Sequence, residues 1–394
     1  MVEREARWHG LDHHAPDFVA DPWPVYAELR RSAPVAHSER YGGFWLITRY
    51  EDVKAAAKNW QILTSSLPNV TSIPSTHPRT EPDLPIELDP PLHTRYRQLV
   101  GPVFSRHVVE ALRPAIRQIA DDLLERLVEA GGGDLVSSFA IPLSVGTLAA
   151  FMDFPKEDEL RWVAWVRRMS DPRDPVDARV ATDAYYAYID ELVASRRGAF
   201  VRLLFDSEIG GEQLTASEVA RFIRVLLIAG HETTAAALGF SFHHLARHPD
   251  DLRRLREHPE LIPLAVEEFL RLASPVTLQA RNATCDLELH GQTIARGDVV
   301  ALSFPSANRD EDEFPEAECC HLDRRPNRHV AFGFGPHLCA GAHVARLEMA
   351  VALEVFVARV TEFGLAEHPA PSWNPTGSVR GLATLPVSLR GASR

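Results

Sequence analysis

The chain has 394 residues, of which 45% are hydrophobic and 24% are charged, a composition that is typical of globular proteins. Its 42 basic and 54 acidic residues give a net charge of −12, which argues against a nucleic-acid-binding protein. The N-terminus is charged, and no run approaches the roughly 18 apolar residues of a membrane helix. We therefore expect a cytoplasmic protein without a secretory signal or a membrane segment.

Helical periodicity dominates the chain in sequence order, and proline, glycine and capping residues bound the helices. The pattern predicts helices over residues 21–29, 50–59, 113–130, 157–169 and 178–197 and another from about 342, with a turn at 170–175. Residues 62–91 are rich in Ser, Thr and Pro and are expected to form a long loop. Short strands are predicted at 44–47, 276–280, 286–290, 298–303 and 383–389, so the β content should be minor and late.

The longest predicted helix begins at Thr215, which forms a capping box with Glu218, and it continues without proline to about His248. At about 1.5 Å per residue, roughly 34 residues span about 50 Å, enough to cross a whole domain. The sequence shows no internal repeats or linkers. We therefore predict that residues 1–394 form a single large domain that is mainly α with small β-sheets.

Four cysteines are too few and too irregularly spaced for a disulfide framework or a paired-cysteine metal site. Cys339 differs from the others because residues 331–341 place three glycines and a proline around it, just before a predicted helix. Such a loop can aim backbone N–H groups and a helix N-terminus at a thiolate. Taken alone, such a loop more often holds a structural cysteine beside a tight turn.

Phe332, Gly335, Cys339 and Gly341 stand in a Phe-x-x-Gly-x-x-x-Cys-x-Gly arrangement that closely resembles the signature of the cytochrome P450 superfamily. The resemblance covers the chain from about residue 21 to 389 and implies the P450 fold, built around a buried haem b. It implies that Cys339 ligates the haem iron, with Phe332 and Gly341 beside the cofactor. Electron donation from the thiolate would favour O–O cleavage.

A second segment that matches the family reads Ala-Gly-His-Glu-Thr-Thr at residues 229–234. A glycine inside a helix costs about 1 kcal/mol relative to alanine, although a kink with solvated polar residues would look the same. In the resembled family this helix opens on the distal side of the haem. The resemblance implies that Ala229 lies at the cofactor, that Thr233 hydrogen-bonds dioxygen and that Glu232 relays protons. Glu232 is a departure, since the family often has Asp there.

Glu268 and Arg271 are spaced for one helix face and, taken alone, would be a routine surface ion pair. They resemble the Glu-x-x-Arg pair of the family, which is buried near the haem. The family's third partner is an arginine, and Cys319 stands in its place. We expect the network to be incomplete or to be completed by another residue, with His321 and Arg325 as candidates.

Two other groups of potential ligands are given no role. A metal site at Cys319, Cys320 and His321 is disfavoured because adjacent cysteines rarely chelate one ion comfortably. The N-terminal histidines lie outside the resemblance and are expected to be solvated: His9, His13 and His14.

The two propionates of a haem need fixed cationic or hydrogen-bonding partners. The resemblance assigns this role to His93 and Arg97 on one helix, to Arg281 on a strand, and to His337 just before Cys339. Each of them alone would be read as a surface residue. Together they predict one anion clamp, a name that we keep for these four residues.

The resemblance implies a monooxygenase that inserts one atom of O₂ into a substrate. The chain shows no flavin or iron-sulfur signature, so electrons are expected from a ferredoxin-type donor and its NAD(P)H-dependent reductase. The donor would dock on a proximal basic face formed by Arg95, Arg106, Arg346 and His337. A peroxygenase driven by H₂O₂ and a non-catalytic haem sensor or carrier are the alternatives.

A hydrophobic small-molecule substrate is expected, because the segments that would line its pocket are mostly apolar. A terpenoid, an aromatic compound or a polyketide would all fit. The residues expected to set specificity are 66–87, 166–183, Leu226, Ala229, 276–279 and 378–379.

Overall fold

The computed structural model of the protein describes residues 7–74, 79–154, 158–169, 174–374 and 377–392. Its helices are Pro16–Ala20, Trp23–Ser32, Tyr50–Lys58, Leu92–Val100, Arg106–Glu110, Arg113–Ala130, Ile141–Met152, Glu159–Met169, Pro175–Ala194, Ala199–Phe205, Ala216–Ala229, Glu232–Arg247, Pro249–Glu257, Ile262–Ala273, Phe304–Ala307 and Ala342–Arg359. Its strands are β1 Val35–Ser38, β2 Phe44–Ile47, β3 Leu63–Thr64, β4 Gly132–Asp134, β5 Glu208–Ile209, β6 Glu212–Gln213, β7 Gln279–Ala283, β8 Leu287–Leu289, β9 Gln292–Ile294, β10 Val299–Leu302, β11 Val360–Leu365, β12 Ser372–Trp373, β13 Leu382–Thr384 and β14 Pro386–Gly391.

The fold is mainly α with small sheets, as predicted, but the strands are not confined to the late part of the chain. The largest sheet has five strands in the order β1-β2-β10-β7-β3, so it joins strands from both ends of the sequence. Strand β2 runs parallel to β10 and antiparallel to β1. The early strands that were not predicted, β1, β3 and β4, are only two to four residues long, too short for alternation alone to reveal them.

The predicted helices are found close to their expected positions. The helix Arg113–Ala130 ends where Gly131 adopts a left-handed conformation with φ 73°. The capping box of Thr215 and Glu218 is formed. The predicted turn at 170–175 falls mostly outside the described residues. The main difference concerns the longest helix, which is interrupted between Ala229 and Glu232.

This interrupted helix lies at the centre of a single domain. Its two halves bury apolar faces against the helices on either side, including Ile262–Ala273 and Ala342–Arg359. By length and composition alone, Ala216–Arg247 could cross a membrane, but 56% of its most apolar window is buried inside the protein. Core helices commonly pass the same test, so the helix is weak evidence for a membrane span.

The N-terminal histidines are not all solvated, which corrects the expectation. His13 is 3% exposed, and its Nε2 lies 2.7 Å from the carbonyl oxygen of Ile73. His14 Nε2 contacts the same oxygen at 3.0 Å, and its Nδ1 accepts a hydrogen bond from the backbone N–H of Gly377. These two residues therefore tie the N-terminus to the predicted loop at 62–91 and to the turn near residue 378.

Candidate active site

Cys339 lies between a short 3₁₀ turn, Gly335–His337, and the helix Ala342–Arg359. Its backbone N–H donates to the carbonyl oxygen of Phe332 at 2.9 Å, and the backbone N–H of Gly341 donates to its sulfur. Part of Cys339 is solvent-accessible, although the surrounding protein desolvates its thiol group. Burial raises the pKa of the Cys339 thiol, while the Gly341 N–H acts in the opposite direction. A bound metal cation is the partner that would ionise such a thiol.

Two glycines of the predicted motifs are required by the close approach of other segments. Gly335 has φ +72°, and a Cβ on it would lie 2.8 Å from the carbonyl oxygen of Ala57. A Cβ on Gly230 would lie 2.9 Å from Leu148 Cδ1. Any larger residue would push the cysteine loop or the long helix away from its neighbour.

The four residues of the anion clamp come together, although they lie on three separate parts of the chain. The rings of His93 and His337 are 4.2 Å apart between centroids. Arg281 is 5% exposed, and its Nη1 donates to the carbonyl oxygen of Ala280 at 2.7 Å. Within the part of the chain that the structure describes, no carboxylate lies within 4.0 Å of Arg97 or Arg281.

The clamp is a set of desolvated groups, and the charge of Asp89 opposes the effect of burial on the pKa of His93 and Arg281 without forming an ion pair with Arg97 or Arg281 among the described residues. Burial lowers the pKa of His93 to about 4 and that of His337 to about 2, with the charges of Arg97 and Arg281 adding to both effects. Burial also lowers the pKa of Arg281 to about 10, which leaves it charged at neutral pH. His93 Nδ1 and His337 Nε2 are buried without a hydrogen-bond partner. Two propionates would supply the missing acceptors and negative charge, so the residues fit a haem.

Side chains within the long helix explain its interruption. His231 Nδ1 donates to the carbonyl oxygen of Leu227 at 2.7 Å, and Thr233 Oγ1 donates to that of Ala229 at 3.0 Å. Both carbonyls belong to the helical ladder, where backbone N–H groups would otherwise compete for them. His231 has the backbone angles φ −115° and ψ −45° and begins a new helical segment.

The interruption places the predicted acid and alcohol differently. Glu232 and Thr233 are both half-buried, and Ala229 is exposed although its helix is a core element. Glu232 lines a cavity together with His231 and Asn374, and Thr233 does not line that cavity. The acid therefore faces a space from which it can exchange protons, and the alcohol begins the opened turn.

The Glu268–Arg271 pair is buried, with both side chains 0% exposed and two N–O distances of 2.8 Å. The expected third partner is present, and it is Arg324. Its Nε lies 3.0 and 3.1 Å from the two carboxylate oxygens of Glu268. Arg325 is exposed, so that candidate was wrong. His321 does participate, but through its backbone N–H, which donates to Glu268 at 2.9 Å.

Cys319 also enters this network through its backbone. Its carbonyl oxygen accepts from Arg271 at 3.0 Å and from Arg324 at 3.2 Å. The network is therefore complete, and of the two expected outcomes the structure shows completion by another residue. Asn327 adds a further hydrogen bond to Glu268 at 3.1 Å.

The predicted basic face is smaller than expected. Arg95 and Arg106 are exposed, as a docking surface needs. Arg346 instead pairs with Glu267 through two hydrogen bonds of 2.7 and 2.8 Å, and it lies over the ring of Phe332. His337 belongs to the buried clamp and is not available on the surface.

Segments predicted to set specificity lie next to one another. Val276 and Val379 pair in an isolated β-bridge, and the backbone N–H of Ala280 donates to the carbonyl oxygen of Thr71 at 3.3 Å. Parts of the other predicted segments, residues 75–78 and 170–173, lie outside the described residues. The loop at 62–91 and the turn near 378 therefore meet at one strand of the main sheet.

A family model described as Cytochrome P450 matches residues 176–361. Polyketide biosynthesis cytochrome P450 PksS of Bacillus subtilis is 34% identical, over 95% of this chain and 98% of the relative. Cytochrome P450 monooxygenase PikC of Streptomyces venezuelae is 33% identical, over 95% of this chain and 92% of the relative. The solved structure of PksS superposes with a TM-score of 0.87 at 33% identity, covering 96% of this chain and all of that one.

The chain belongs to the cytochrome P450 family. As a P450 it is an oxidoreductase of the monooxygenase class that uses haem b, and its fold is the P450 fold. The resemblance read from the cysteine loop was therefore correct at the level of family, fold and cofactor.

Three residues near this P450 site were missed in the sequence. The sequence does not indicate which of the adjacent residues Arg324 and Arg325 pairs with Glu268, because only packing distinguishes the two. His231 was noted as part of the long helix, but no sequence pattern predicts the hydrogen bond from its imidazole ring to a helical carbonyl oxygen. Glu348 stands in an apolar helical run and is 1% exposed. Burial raises the pKa of Glu348 to about 8, and the hydroxyl of Ser144 donates to it.

Proposed function

We propose that this P450 inserts one atom of O₂ into a hydrophobic small molecule and reduces the other to water, with Cys339 as the iron ligand. The observation that carries this proposal is the thiol of Cys339, which accepts a hydrogen bond from the Gly341 N–H and lies near a desolvated cluster around Arg281; among the described residues no carboxylate lies within 4.0 Å of either arginine of that cluster. His93, Arg97 and His337 complete that cluster. When bound, haem b supplies the iron at which dioxygen is activated for transfer to the substrate.

The remaining chemistry falls to residues of the chain. Cys339 donates electron density, and the Gly341 N–H group holds the sulfur in place. Phe332 and Ala229 would contact the cofactor once it is bound. Glu232 takes protons from its cavity, and the hydroxyl of Thr233 holds one at the pocket once its bond to the Ala229 carbonyl is released.

Two electrons per turnover are proposed to come from a separate ferredoxin and its NAD(P)H-dependent reductase. Arg106 and Arg95 are the exposed cations that support docking of an acidic donor.

We also propose that the protein is cytoplasmic and that residues 1–394 act as one domain.

The substrate class is proposed to be hydrophobic, because the cavity that Glu232 lines is bounded mainly by apolar side chains, among them Ile141, Val163 and Val166. The name of PksS refers to polyketide biosynthesis, so polyketides belong in the first panel of compounds for binding spectra. Terpenoids and aromatic compounds complete that panel.

The ligand assignment is tested with the reduced-CO absorption band of the haem-loaded protein. Cys339→Ser should remove the band typical of thiolate ligation, while Cys285→Ser, which changes an exposed cysteine, should keep it. Retention of the band in Cys339→Ser would overturn the proposal.

The oxidant is tested separately by comparing turnover with O₂, NADH and a ferredoxin system against turnover with H₂O₂ alone. Product formation only with H₂O₂ would establish a peroxygenase. Ligand-dependent spectral changes without any product would favour a sensor or carrier.

A further inference from the structure

The adjacent cysteines Cys319 and Cys320 belong to different clusters of potential metal ligands. Cys319 is exposed and lies near Glu316 and His321 on the surface. Cys320 faces inward and lies near His244 and Asp251, which are distant in sequence. All three residues of this second cluster are partly buried.

The second cluster is built on three packed elements. His244 lies in the last turn of the helix Glu232–Arg247, and Asp251 lies in the first turn of the helix Pro249–Glu257. The His244 Nε2 and Asp251 Oδ2 atoms are 2.6 Å apart. Cys320 packs against the main apolar core, and Asp323 close by forms an ion pair with Arg254. The geometry of the cluster is therefore fixed by packing.

A small tetrahedral ion would fit if the hydrogen-bonded His244 Nε2 and Asp251 Oδ2 atoms, now 2.6 Å apart, separated by roughly 1 Å through side-chain rotation. The ligand atoms of His244, Asp251 and Cys320 all lie within 4.8 Å of one another. Ligands of a tetrahedral zinc ion are roughly 3.3 to 3.7 Å apart, as follows from metal–ligand distances of about 2.0 to 2.3 Å. The ring of His248 stacks on that of His244 with a centroid distance of 4.2 Å, so a side-chain rotation would be needed before His248 could supply a fourth ligand.

We propose that His244, Asp251 and Cys320 bind a divalent cation of the zinc type, with His248 at the fourth position. The charges balance in this arrangement, because one thiolate, one carboxylate and neutral imidazoles cancel the charge of the ion. Binding releases the thiol proton to solvent. The surface cluster at Cys319 would also balance charge, but its exposed ligands are less well positioned.

An ion at this position would brace the buried network. The Cys319 carbonyl accepts from Arg271 and Arg324, and the His321 N–H donates to Glu268, so both neighbours of Cys320 hold that network. The ion would connect this loop to the end of the long helix. Zinc should therefore raise the melting temperature of the haem-loaded protein.

Zinc binding is measured on the full haem-loaded chain after chelator treatment, by competition with a chromophoric chelator. One equivalent should bind, and Cys320→Ser should weaken binding by at least about tenfold. Cys319→Ser and Cys285→Ser are matched controls that should bind like the unmodified protein. Loss of binding in Cys319→Ser with retention in Cys320→Ser would place the ion at the surface cluster and overturn the proposal, as would the absence of stoichiometric binding.

A second measurement needs no substitution and serves if Cys320→Ser fails to fold. The unmodified protein is alkylated with iodoacetamide with and without zinc, and the modified peptides are quantified by mass spectrometry. Zinc should slow the modification of Cys320 several-fold and leave that of Cys285 unchanged. Zinc binding without protection of Cys320 would contradict the assignment.

Discussion

Arg324 donates from its Nε to both carboxylate oxygens of Glu268, at 3.0 and 3.1 Å, and so completes a buried cluster that already contains Arg271. Three charged groups share a site in which Glu268 and Arg271 are fully inaccessible. Removing Glu268 or Arg271 would leave a buried charge without its close partner, whereas removing Arg324 leaves their neutral pair in place.

We expect Arg324→Ala to destabilise the fold by about 1.5–3 kcal/mol, because Glu268 loses a charge-assisted hydrogen bond while its pairing with Arg271 remains. Urea unfolding of the haem-loaded protein measures this change. The matched control is Arg325→Ala, which removes the adjacent exposed arginine and should alter the free energy of unfolding by no more than about 0.5 kcal/mol. Equal losses in the two variants would contradict the role of Arg324.

Arg97→Ala should accelerate haem loss roughly tenfold to a hundredfold, since a charge-assisted hydrogen bond contributes about 1.5–3 kcal/mol. Arg95→Ala is the control, because Arg95 lies on the same helix and is exposed. Transfer of haem to an excess of a haem-free acceptor protein gives both rates. If Arg95→Ala lost haem as fast as Arg97→Ala, the assignment of Arg97 to the propionates would be wrong.

Thr233→Ala should keep the reduced-CO band but lower the ratio of product formed to NADH consumed several-fold, because the pocket loses its hydroxyl. Thr233→Ser restores a hydroxyl without the methyl group and should recover most of the coupling. Measuring product, NADH and H₂O₂ in one reaction gives the ratio. An unchanged ratio in Thr233→Ala would exclude a role in proton delivery.

Arg106→Glu should slow reduction by a ferredoxin by roughly tenfold at low ionic strength, with less effect at high salt, because it reverses a charge on the docking surface. Substrate affinity should not change. Arg253→Glu is the control, since Arg253 is also an exposed arginine that lies on another helix. The rate of reduction by ferredoxin is measured by stopped flow in both variants. A similar slowing in both would indicate a general charge effect and would contradict a docking role of Arg106.

Glu348 should make stability depend on pH. Burial raises its pKa from an ordinary value near 4.5 to about 8, so the folded state holds a proton that the unfolded chain releases. Its contribution is fully present below pH 4.5, falls by about 1.4 kcal/mol per pH unit above that value, and is lost once the pH passes about 8.

Glu348→Gln lacks this titration. The melting temperature of the variant minus that of the unmodified protein should therefore increase as the pH rises from 5 to about 8. Thermal melts of both proteins across this range provide the measurement. Parallel pH profiles would mean that Glu348 titrates alike in the folded and unfolded states.

Much of this P450 is determined by the sequence itself. Local patterns place the helix Arg113–Ala130, the strand Phe44–Ile47 and the cap at Thr215, because periodicity, β-branched content and capping act over a few residues. The Phe-x-x-Gly-x-x-x-Cys-x-Gly pattern is also local, and it led to the family, the fold and the haem.

Only the tertiary structure decided which residues meet. Arg324 and Arg325 are equivalent in sequence, and packing against Glu268 buries one and exposes the other. Cys319 and Cys320 are directed to different clusters by the turn that contains them. The clamp of His93, Arg97, Arg281 and His337 likewise depends on contacts between distant segments, which local propensity does not encode. Burial, and with it the altered pKa values, arises only after those contacts form.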